Sequence, residues 1–378
     1  MAGLMTRIPE QMKPMQDRFR GCLLGGAVGD ALGAPVEFMS RKEILATFGP
    51  EGITDFAPAY CGVGRITDDT QMTLFTADGL IRSHLRGTTR GIVSVPEVIK
   101  KAYVRWLVTQ GLEPQGELVP GADQMGWLGS VPELFHRRAP GNTCLSALQT
   151  IPRSELRAEN NSKGCGGVMR VAPIGLVGAS GPYPQVEMAC DLAYDAAAIT
   201  HGHPSGRLAA VALMPLIILA ARGDDLLTKG LPLAEVYLGE YGEQARETID
   251  AVLLAYTLAK SNVDRSEAIA RLGEGWVAEE ALAISVYCAL VAKDFRDGVT
   301  LAVNHDGDSD STGAITGNIL GARWGAEAIP EDWLARLELR EVITELADDL
   351  LTFPEWPVDD VGTDAAFEDA ALAKYPPV

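Results

Sequence analysis

The stretch GCLLGGAVGDALG at residues 21–33 places a glycine at every fourth position, and GAITGNILG at residues 313–321 repeats that spacing. Residues four apart lie on one face of a helix, so each stretch predicts a helix with a bare stripe. An interior glycine costs a helix about 1 kcal/mol relative to alanine. A bare stripe lets a backbone or a ligand approach closely, although tight helix packing without functional content explains it equally well. Asp30, Asn318 and Arg323 interrupt the apolar runs, which argues against membrane-spanning helices.

The two striped helices can pack antiparallel through their bare faces. The first should end near Gly33, with Pro35 just beyond as a stop signal, which leaves Glu37 on the following loop. An acidic cluster precedes the second striped helix directly. If the end of one helix lies beside the start of the other, we expect Glu37 to meet Asp308 and Asp310.

The composition limits the classes of protein. The chain has 378 residues, enough to bury a substantial core, and its formal net charge of −19 argues against a broad basic face for duplex nucleic acid or anionic membrane. A local basic groove stays open. Residues 1–13 lack the apolar stretch of a secretory signal. The longest apolar run, residues 208–221, contains Pro215 and is too short to span a bilayer, so we expect a buried core helix. Six scattered cysteines without a CxxC pair indicate free thiols in a reducing cytoplasm.

Helical periodicity dominates the chain, because apolar residues recur at three- and four-residue spacing and alternating strand patterns are scarce. The predicted helices are Gln16–Leu32, Asp69–Leu85, Pro96–Leu107, Val186–Ile199, Ser205–Ala221, Gln244–Ala259, Ala278–Val291 and Gly313–Trp324. Glycine- and proline-bearing connections are predicted near residues 48–64, 111–129 and 178–184. We therefore expect an all-α fold in one domain over residues 1–378, with a motif-bearing core at 15–330 and a helical, acidic extension at 331–378. Residues after Pro354 should lie over the surface as an appended tail.

Two acidic motifs stand at predicted helix starts. Asp68 and Asp69 follow Thr67, and one capping carboxylate or hydroxyl would satisfy a helix terminus without the other. The second motif, DGDSDSTG at residues 306–313, fails the EF-hand template, because Ser311 and Gly317 stand where that loop needs Gly and Glu. Several carboxylates brought together raise one another's pKa and repel. Hard cations such as magnesium relieve that conflict, and a pair of them can orient a sugar diol and polarise water.

Four segments, taken in order, resemble the ADP-ribosylglycohydrolase family. They are GCLLGGAVGDALGAPVE at residues 21–37, TDDT at 67–70, GGVMRVAP at 166–173 and DSDS at 308–311. The resemblance covers about residues 17–325 and implies a compact, orthogonal multi-helix bundle with two Mg²⁺ ions, or Mn²⁺ as a substitute, in a cleft. It implies an enzyme that cleaves the N- or O-glycosidic bond of ADP-ribose on a protein, nucleic acid or small molecule and releases ADP-ribose.

The resemblance also assigns roles to residues. The metal ligands would be Thr67, Asp68, Asp69, Asp308, Asp310 and Ser311. The catalytic carboxylates would be Glu37, beside the scissile bond, Asp69 and Asp308. The substrate-binding residues would be Lys163, Gly164, Cys165, Gly166, Gly167, Met169 and His201, with backbone N–H groups of the glycine-rich loop around the diphosphate.

Two departures from the family's pattern bear on specificity. Cys165 stands between glycines where relatives often carry an Asn, and Lys163 before this loop could contact a phosphate or face solvent. Asn142 stands where arginine-specific members use an Asp. Because an amide cannot act as a base, arginine specificity and the leaving group stay open.

Single residues of other reactive types have plainer interpretations. His201 and His203 have no evident third partner, so a pocket or structural role is favoured over a soft-metal site. Cys165 lacks a matched base, which disfavours a nucleophilic role. Most tryptophans should be core residues, although Trp127 could border the cleft.

Three functions are consistent with the sequence. The leading hypothesis is metal-dependent hydrolysis, in which water attacks the anomeric carbon of the distal ribose with Glu37 or an Asp as general base. A second is a non-catalytic protein of the same fold that binds ADP-ribose or blocks a toxin, which the complete set of acids disfavours. A third is a structural protein whose acidic clusters hold calcium.

Overall fold

The structure is a computed structural model that describes residues 10–115, 119–358 and 364–377. Residues 1–9, most of the segment in which no signal sequence was expected, lie outside the described residues, as do both ends of the predicted domain. The helices are α1 Lys13–Gly33, α2 Arg41–Phe48, α3 Asp68–Arg90, α4 Val95–Thr109, α5 Asn142–Thr150, α6 Ala172–Ala179, α7 Val186–Ala198, α8 Pro204–Arg222, α9 Leu226–Gly239, α10 Arg246–Ala259, α11 Arg265–Leu272, α12 Ala278–Val291, α13 Phe295–Val303, α14 Ser309–Trp324, α15 Glu331–Leu334, α16 Arg340–Thr352 and α17 Ala365–Lys374.

Sheet structure in the described ranges is confined to one small antiparallel pair, β1 Pro58–Ala59 and β2 Gly62–Val63. The all-α prediction is therefore confirmed. Each of the eight predicted helices is present, and α12 has the predicted bounds, while α14 begins four residues earlier than predicted. That earlier start makes Asp308 the N-cap and places Asp310 in the first turn of α14.

Helices α1 and α14 pack antiparallel through their glycine stripes, as predicted. The positions in contact are Gly21 with Gly321, Gly25 with Gly317, Gly29 with Gly313 and Gly33 with Ser309. A Cβ on Gly29 would lie 1.9 Å from the carbonyl oxygen of Gly313, and one on Gly25 would lie 2.4 Å from that of Gly317. Because these distances are far inside van der Waals contact, only glycine fits. The contact sets the end of α1 beside the start of α14.

Polar residues inside the striped helices serve the same packing. The Asn318 side-chain amide on α14 donates to the Cys22 carbonyl oxygen on α1 at 2.8 Å. Asn318 also lies directly over Gly26, where a Cβ would overlap it. Asn318, whose polarity argued against a membrane-spanning helix, thus joins two buried helices by a hydrogen bond.

Helix α8 is the core helix that the apolar run predicted. It is long and apolar enough to cross a bilayer by composition alone, but 89% of its most apolar window is buried inside the protein, and Pro215 lies within it. Both features are typical of the core helix of a globular domain. The six cysteines are free, in agreement with the prediction of unpaired thiols.

A buried ion-pair network joins α3 to α4. Asp78 on α3 lies 2.9 Å from the Arg82 guanidinium and 2.6 Å from that of Arg105, and all three side chains are buried. A buried carboxylate with two cationic partners is compensated. Within the described part of the chain, no such cation acts on the carboxylates of Asp30, Glu37 and Asp310 at the α1–α14 seam.

The prediction of a surface tail after Pro354 holds only in part for the described residues, because the start of α17 is exposed or half-buried while its end is anchored in the protein. Helix α17 docks Tyr375 into the interior, where its hydroxyl donates to Asp349 Oδ2 at 2.6 Å. Lys374 Nζ also donates to Asp349. Trp356 packs on Tyr375, and Lys374 also pairs with Glu345. The acidic, proline-bearing composition did not reveal this attachment, because it depends on a few aromatic contacts and ion pairs rather than on an apolar face.

Candidate active site

Asp30 on α1 fixes the first turn of α3. The side chain is fully buried, and its carboxylate accepts the backbone N–H groups of Thr67, at 2.9 Å, and Thr70, at 3.2 Å, together with the Thr70 hydroxyl. Thr67 then caps α3, since its Oγ1 accepts the Asp69 N–H at 3.3 Å. Asp68 and Asp69 are thereby held at the α1–α14 seam. Sequence analysis missed this role, although an Asp inside an otherwise apolar, glycine-striped helix was a signal for it.

Asp308 fixes the first turn of α14 in the same manner. It is the N-cap, and its Oδ1 accepts the Ser311 N–H at 3.3 Å, while the Asp310 carboxylate accepts that N–H at 3.0 Å. Gly307, at φ +113°, has the backbone conformation that brings the chain into this cap. Glu37 follows α1 on a turn and is 7% exposed.

These segments, which are remote in sequence, meet at one cavity of about 210 Å³. Its lining includes six of the predicted metal-binding and catalytic residues, namely Glu37, Asp68, Asp69, Asp308, Asp310 and Ser311. The predicted encounter of Glu37 with Asp308 and Asp310 is therefore present in the structure. Thr67 does not line the cavity, because its side chain faces the N–H groups of α3. A volume of this size admits a ribose, and the rest of a larger ligand must lie across the rim.

The acidic side chains of the cavity oppose one another electrostatically. Burial first, and Asp310 next, raise the pKa of Glu37 to about 11 and hold the pKa values of Asp68 and Asp69 well above their usual range. Burial and Asp310 likewise raise the pKa of Asp30 to about 7. Such crowding makes the fully ionised cluster unfavourable unless positive charge enters it.

Two oxygens of the cluster lack hydrogen-bond partners. Glu37 Oε2 and Asp69 Oδ1 are buried and unpaired, a costly condition for carboxylate oxygens. Within the described residues, no three histidine, cysteine or acidic side chains converge as a formed ligand set around one point. The donor chemistry nevertheless suits a hard cation, because buried oxygens that repel one another and lack donors gain most from positive charge.

The glycine-rich loop forms another part of the wall, next to Asp308 and Ser311. Gly164, Cys165, Gly166 and Met169 line the cavity, whereas Gly167 packs beneath it against α8. The predicted phosphate contact Lys163 is also outside the lining.

The Lys163 ammonium is bound in ion pairs with Glu247 and Glu279. The structure thus brings four of these six loop residues to the cavity and places Lys163 in a structural ion-pair cluster. Its contact with phosphate stays an untested prediction.

The Cys165 thiol is a hydrogen-bond donor here. Its Sγ lies 2.8 Å from Asp308 Oδ2. Burial first, and Asp308 next, raise the pKa of this thiol well above its usual range. A protonated thiol is a poor nucleophile, which agrees with the prediction against nucleophilic catalysis. The loop backbone is anchored too, because the Cys165 N–H donates to the Trp276 carbonyl oxygen at 3.3 Å.

The two histidines separate into different roles. His201 lines the cavity, and burial first, and Arg170 next, lower its pKa to about 3, so the imidazole is neutral near pH 7. Its Nδ1 lies 2.8 Å from the Thr200 hydroxyl. His203 instead caps α8, since its Nδ1 accepts the Ser205 N–H at 3.1 Å. These positions agree with pocket and structural roles.

An exposed aromatic pair stands at the mouth of the cavity. Phe38 and Trp276 stack with ring centroids 5.9 Å apart and an interplanar angle of 19°. They are 73% and 39% exposed, and Trp276 lines the cavity. Sequence analysis missed both, although Phe38 directly follows Glu37. Trp127, suggested for the rim, lies against Tyr375 of the C-terminal segment instead.

The start of α5 forms another part of the wall. Gly141, Asn142 and Thr143 line the cavity, and the Gly141 N–H donates to Asp68 Oδ2 at 3.2 Å. Asn142 therefore lies on the wall of the same cavity as the acidic residues. The helix N-terminus adds partial positive charge at this edge.

Comparisons with known proteins agree with this architecture. The sequence profile of the ADP-ribosylglycohydrolase family matches residues 11–357. The chain is 30% identical to an uncharacterised protein of Archaeoglobus fulgidus, over 89% of this chain and 96% of that protein. It is 25% identical to the ADP-ribosyl-[dinitrogen reductase] glycohydrolase of Rhodospirillum rubrum, over 86% and 92%, and 24% identical to human ADP-ribosylhydrolase ARH3, over 88% and 92%. A solved ADP-ribosylglycohydrolase-related protein complex superimposes with a TM-score of 0.64 at 27% identity, over 90% of this chain and 99% of that one.

Proposed function

This chain belongs to the ADP-ribosylglycohydrolase family, and on that premise we propose that its acidic cavity hydrolyses the glycosidic bond between ADP-ribose and an acceptor with the aid of two magnesium ions. The observation that carries the proposal is the meeting of Glu37, Asp69 and Asp310, from three separate segments, in one ribose-sized cavity. Buried carboxylates without cationic partners are costly to keep for stability alone. Their concentration here is best explained by a function.

The residues that would hold the ions are those whose oxygens face the cavity, Asp68, Asp69, Asp308, Asp310 and Ser311. Asp69 is the strongest candidate, because its Oδ1 is buried and has no partner. When bound, the ions would supply positive charge and Lewis acidity at the hydroxyls of the distal ribose. Manganese would serve in the same oxygen-rich site.

Glu37 has the position of a proton acceptor. Its Oε2 is buried and unpaired, and divalent charge in the cluster would lower its pKa from about 11 toward the range of a working base. In the proposed step, a water oxygen bonds to the anomeric carbon as the bond from that carbon to the acceptor breaks. One water proton passes to Glu37 and the other stays on the new anomeric hydroxyl. Glu37 then gives its proton to the departing atom of the acceptor, so that ADP-ribose and the restored acceptor are released.

The remaining parts of ADP-ribose would extend across the rim. Gly164 and Gly166 lie where backbone atoms can approach a diphosphate, and the Phe38–Trp276 pair offers an aromatic face for the adenine. Neutral His201 can donate or accept one hydrogen bond from the cavity wall without adding charge. The acceptor would be a protein side chain, a nucleobase or a small molecule. Asn142, which lines the cavity, would contact the acceptor and influence which of them is accepted.

A panel of defined ADP-ribosylated acceptors tests the proposal. Arginine-linked and serine-linked peptides, a nucleobase adduct and a small-molecule adduct are incubated with the protein in Mg²⁺ or in excess chelator, and free ADP-ribose is measured. We expect release from at least one acceptor in Mg²⁺ only. Asp308→Asn should abolish it, whereas Asp306→Asn, an exposed Asp on the same loop that accepts the Arg41 N–H, should retain it.

Two results would overturn the proposal. Full activity after exhaustive removal of divalent ions would exclude the metal-dependent step. Tight binding of ADP-ribose without any release over hours would instead support a non-catalytic binding protein.

A further inference from the structure

A second cavity, of about 420 Å³, shares no lining residue with the acidic cavity. Four cationic side chains and one acidic side chain line it, namely Arg90, Lys101, Arg105, Arg153 and Asp123. The whole chain has a formal net charge of −19, so a cluster of positively charged side chains is not expected from its composition. It is the local basic site that the overall charge left open.

Arg105 is the deepest of these cations. The side chain is 1% exposed, and its Nε has no hydrogen-bond partner. One guanidinium nitrogen pairs with Asp78 at 2.6 Å, but Asp78 also pairs with Arg82. One carboxylate thus serves two guanidinium groups, and positive charge is left over. Burial first, and Arg82 next, accordingly lower the pKa of Arg105 to about 10.

Lys101 lies in the same positive surroundings. Burial first, followed by Arg86 and Arg153, lowers its pKa. The nearby carboxylate of Glu97 is paired with Lys100 at 2.9 Å. Among the described residues, the buried Nε donor of Arg105 has no acceptor and Lys101 has mostly cations as charged neighbours, so this side of the cavity carries an excess of positive charge that suits an anionic ligand.

We propose that this cavity binds a nucleoside diphosphate or triphosphate, or a small ligand of the same polyphosphate chemistry. Guanidinium groups match phosphate oxygens in charge and geometry, and several of them converge here. Val119, Pro120, Pro376 and Pro377 form an apolar wall beside the cations, which suits a sugar and a base. The volume lies in the range of small-ligand pockets. Duplex nucleic acid fits less well, because the strongly acidic surface would repel it.

Calorimetric titration of the full chain tests the proposal independently of catalysis. Inorganic triphosphate, ADP and adenosine are titrated in chelator, so that divalent ions do not recruit phosphates to the acidic cavity. We expect saturable binding of triphosphate and ADP at one site and none of adenosine. Lys101→Gln should weaken binding about tenfold or more, since it removes a hydrogen-bond donor that carries charge, and the exposed Arg90→Gln should do the same. Lys260→Gln, which removes an exposed charge outside the cavity, should change affinity less than twofold.

Three results would overturn the proposal. They are an absence of saturable binding at millimolar ligand, equal weakening by Lys260→Gln and Lys101→Gln, and tighter binding of a single-stranded oligonucleotide than of ADP. The last result would identify the cavity as part of a nucleic-acid surface. Retained melting temperature of the Arg90→Gln variant shows that any loss is not due to unfolding.

Discussion

The Asp310→Asn substitution tests how much the repulsion between the clustered carboxylates destabilises the folded protein, and how much a bound cation stabilises it. Asp310 is, after burial, the first cause of the raised pKa values of Glu37, Asp68 and Asp69. The substitution removes one negative charge but keeps an oxygen that can accept the Ser311 N–H, now at 3.0 Å. In chelator, the variant should therefore be more stable than the wild type, although a buried polar residue has been replaced.

The magnitude follows from the burial of these groups. At an effective dielectric constant of about 20, two unit charges 4–8 Å apart repel by about 2–4 kcal/mol. If Asp310 is protonated instead, holding an acid neutral at pH 7 against an ordinary pKa near 3.8 costs an amount of the same order. We expect Asp310→Asn to raise the free energy of unfolding by about 2 kcal/mol in chelator and the melting temperature by a few degrees.

The assay is urea unfolding of both proteins in chelator and in millimolar Mg²⁺. Magnesium should stabilise the wild type strongly, since a ligand that binds only the folded state adds to stability, and should stabilise the variant much less. Asp78→Asn is the matched control, because that buried carboxylate is compensated by Arg82 and Arg105. It should lose about 3–5 kcal/mol in both buffers. Equal stability of the wild type in both buffers, or destabilisation of Asp310→Asn in chelator, would refute the reasoning.

Three further predictions concern stability and binding. In chelator between pH 7 and 8, folded Glu37 holds a proton that the unfolded chain lacks, because burial and Asp310 raise its pKa to about 11. Glu37 should therefore contribute a fall in stability of about 1.4 kcal/mol per pH unit. Glu37→Gln should remove that contribution in urea titrations, and Mg²⁺ should flatten the slope. Gly29→Ala should lower the free energy of unfolding by about 3 kcal/mol or more, because its Cβ would lie 1.9 Å from the Gly313 carbonyl oxygen. Gly239→Ala, with open space around it, should be neutral or slightly stabilising. Equal shifts of the melting temperature in the two variants would contradict the packing argument. Trp276→Ala should raise the KM for an ADP-ribosylated substrate about tenfold with a smaller change in kcat, since it removes a stacking face; an unchanged KM would place the adenine elsewhere.

The glycine seam was predictable because its physical cause is local and periodic. A glycine at every fourth position has few explanations other than a close approach, and two such stripes in one chain fit each other. The acidic motifs were predictable for a related reason, since more carboxylates stood at two helix starts than capping requires. Glu37 could be placed because Gly33 and Pro35 mark where α1 ends.

Other features depend on contacts between remote segments that leave no periodic signal. The hydrogen bonds from the Thr67 N–H at the start of α3 to Asp30 could not be predicted, because the sequence does not show which face of α1 meets that turn. Tyr375 is one of three aromatic residues scattered through an acidic segment, so its docking on Asp349 was not visible. The stacking of Trp276 on Phe38 joins loops about 240 residues apart.

The central claim is that carboxylates from three separate segments hold divalent ions at one cavity. Anomalous diffraction from crystals soaked in Mn²⁺ tests it most directly. We expect two strong peaks among the oxygens of Asp69, Asp308 and Asp310, both lost in crystals of the Asp310→Asn variant. Manganese bound only at other surface carboxylates, with this cavity empty at saturating metal, would contradict it.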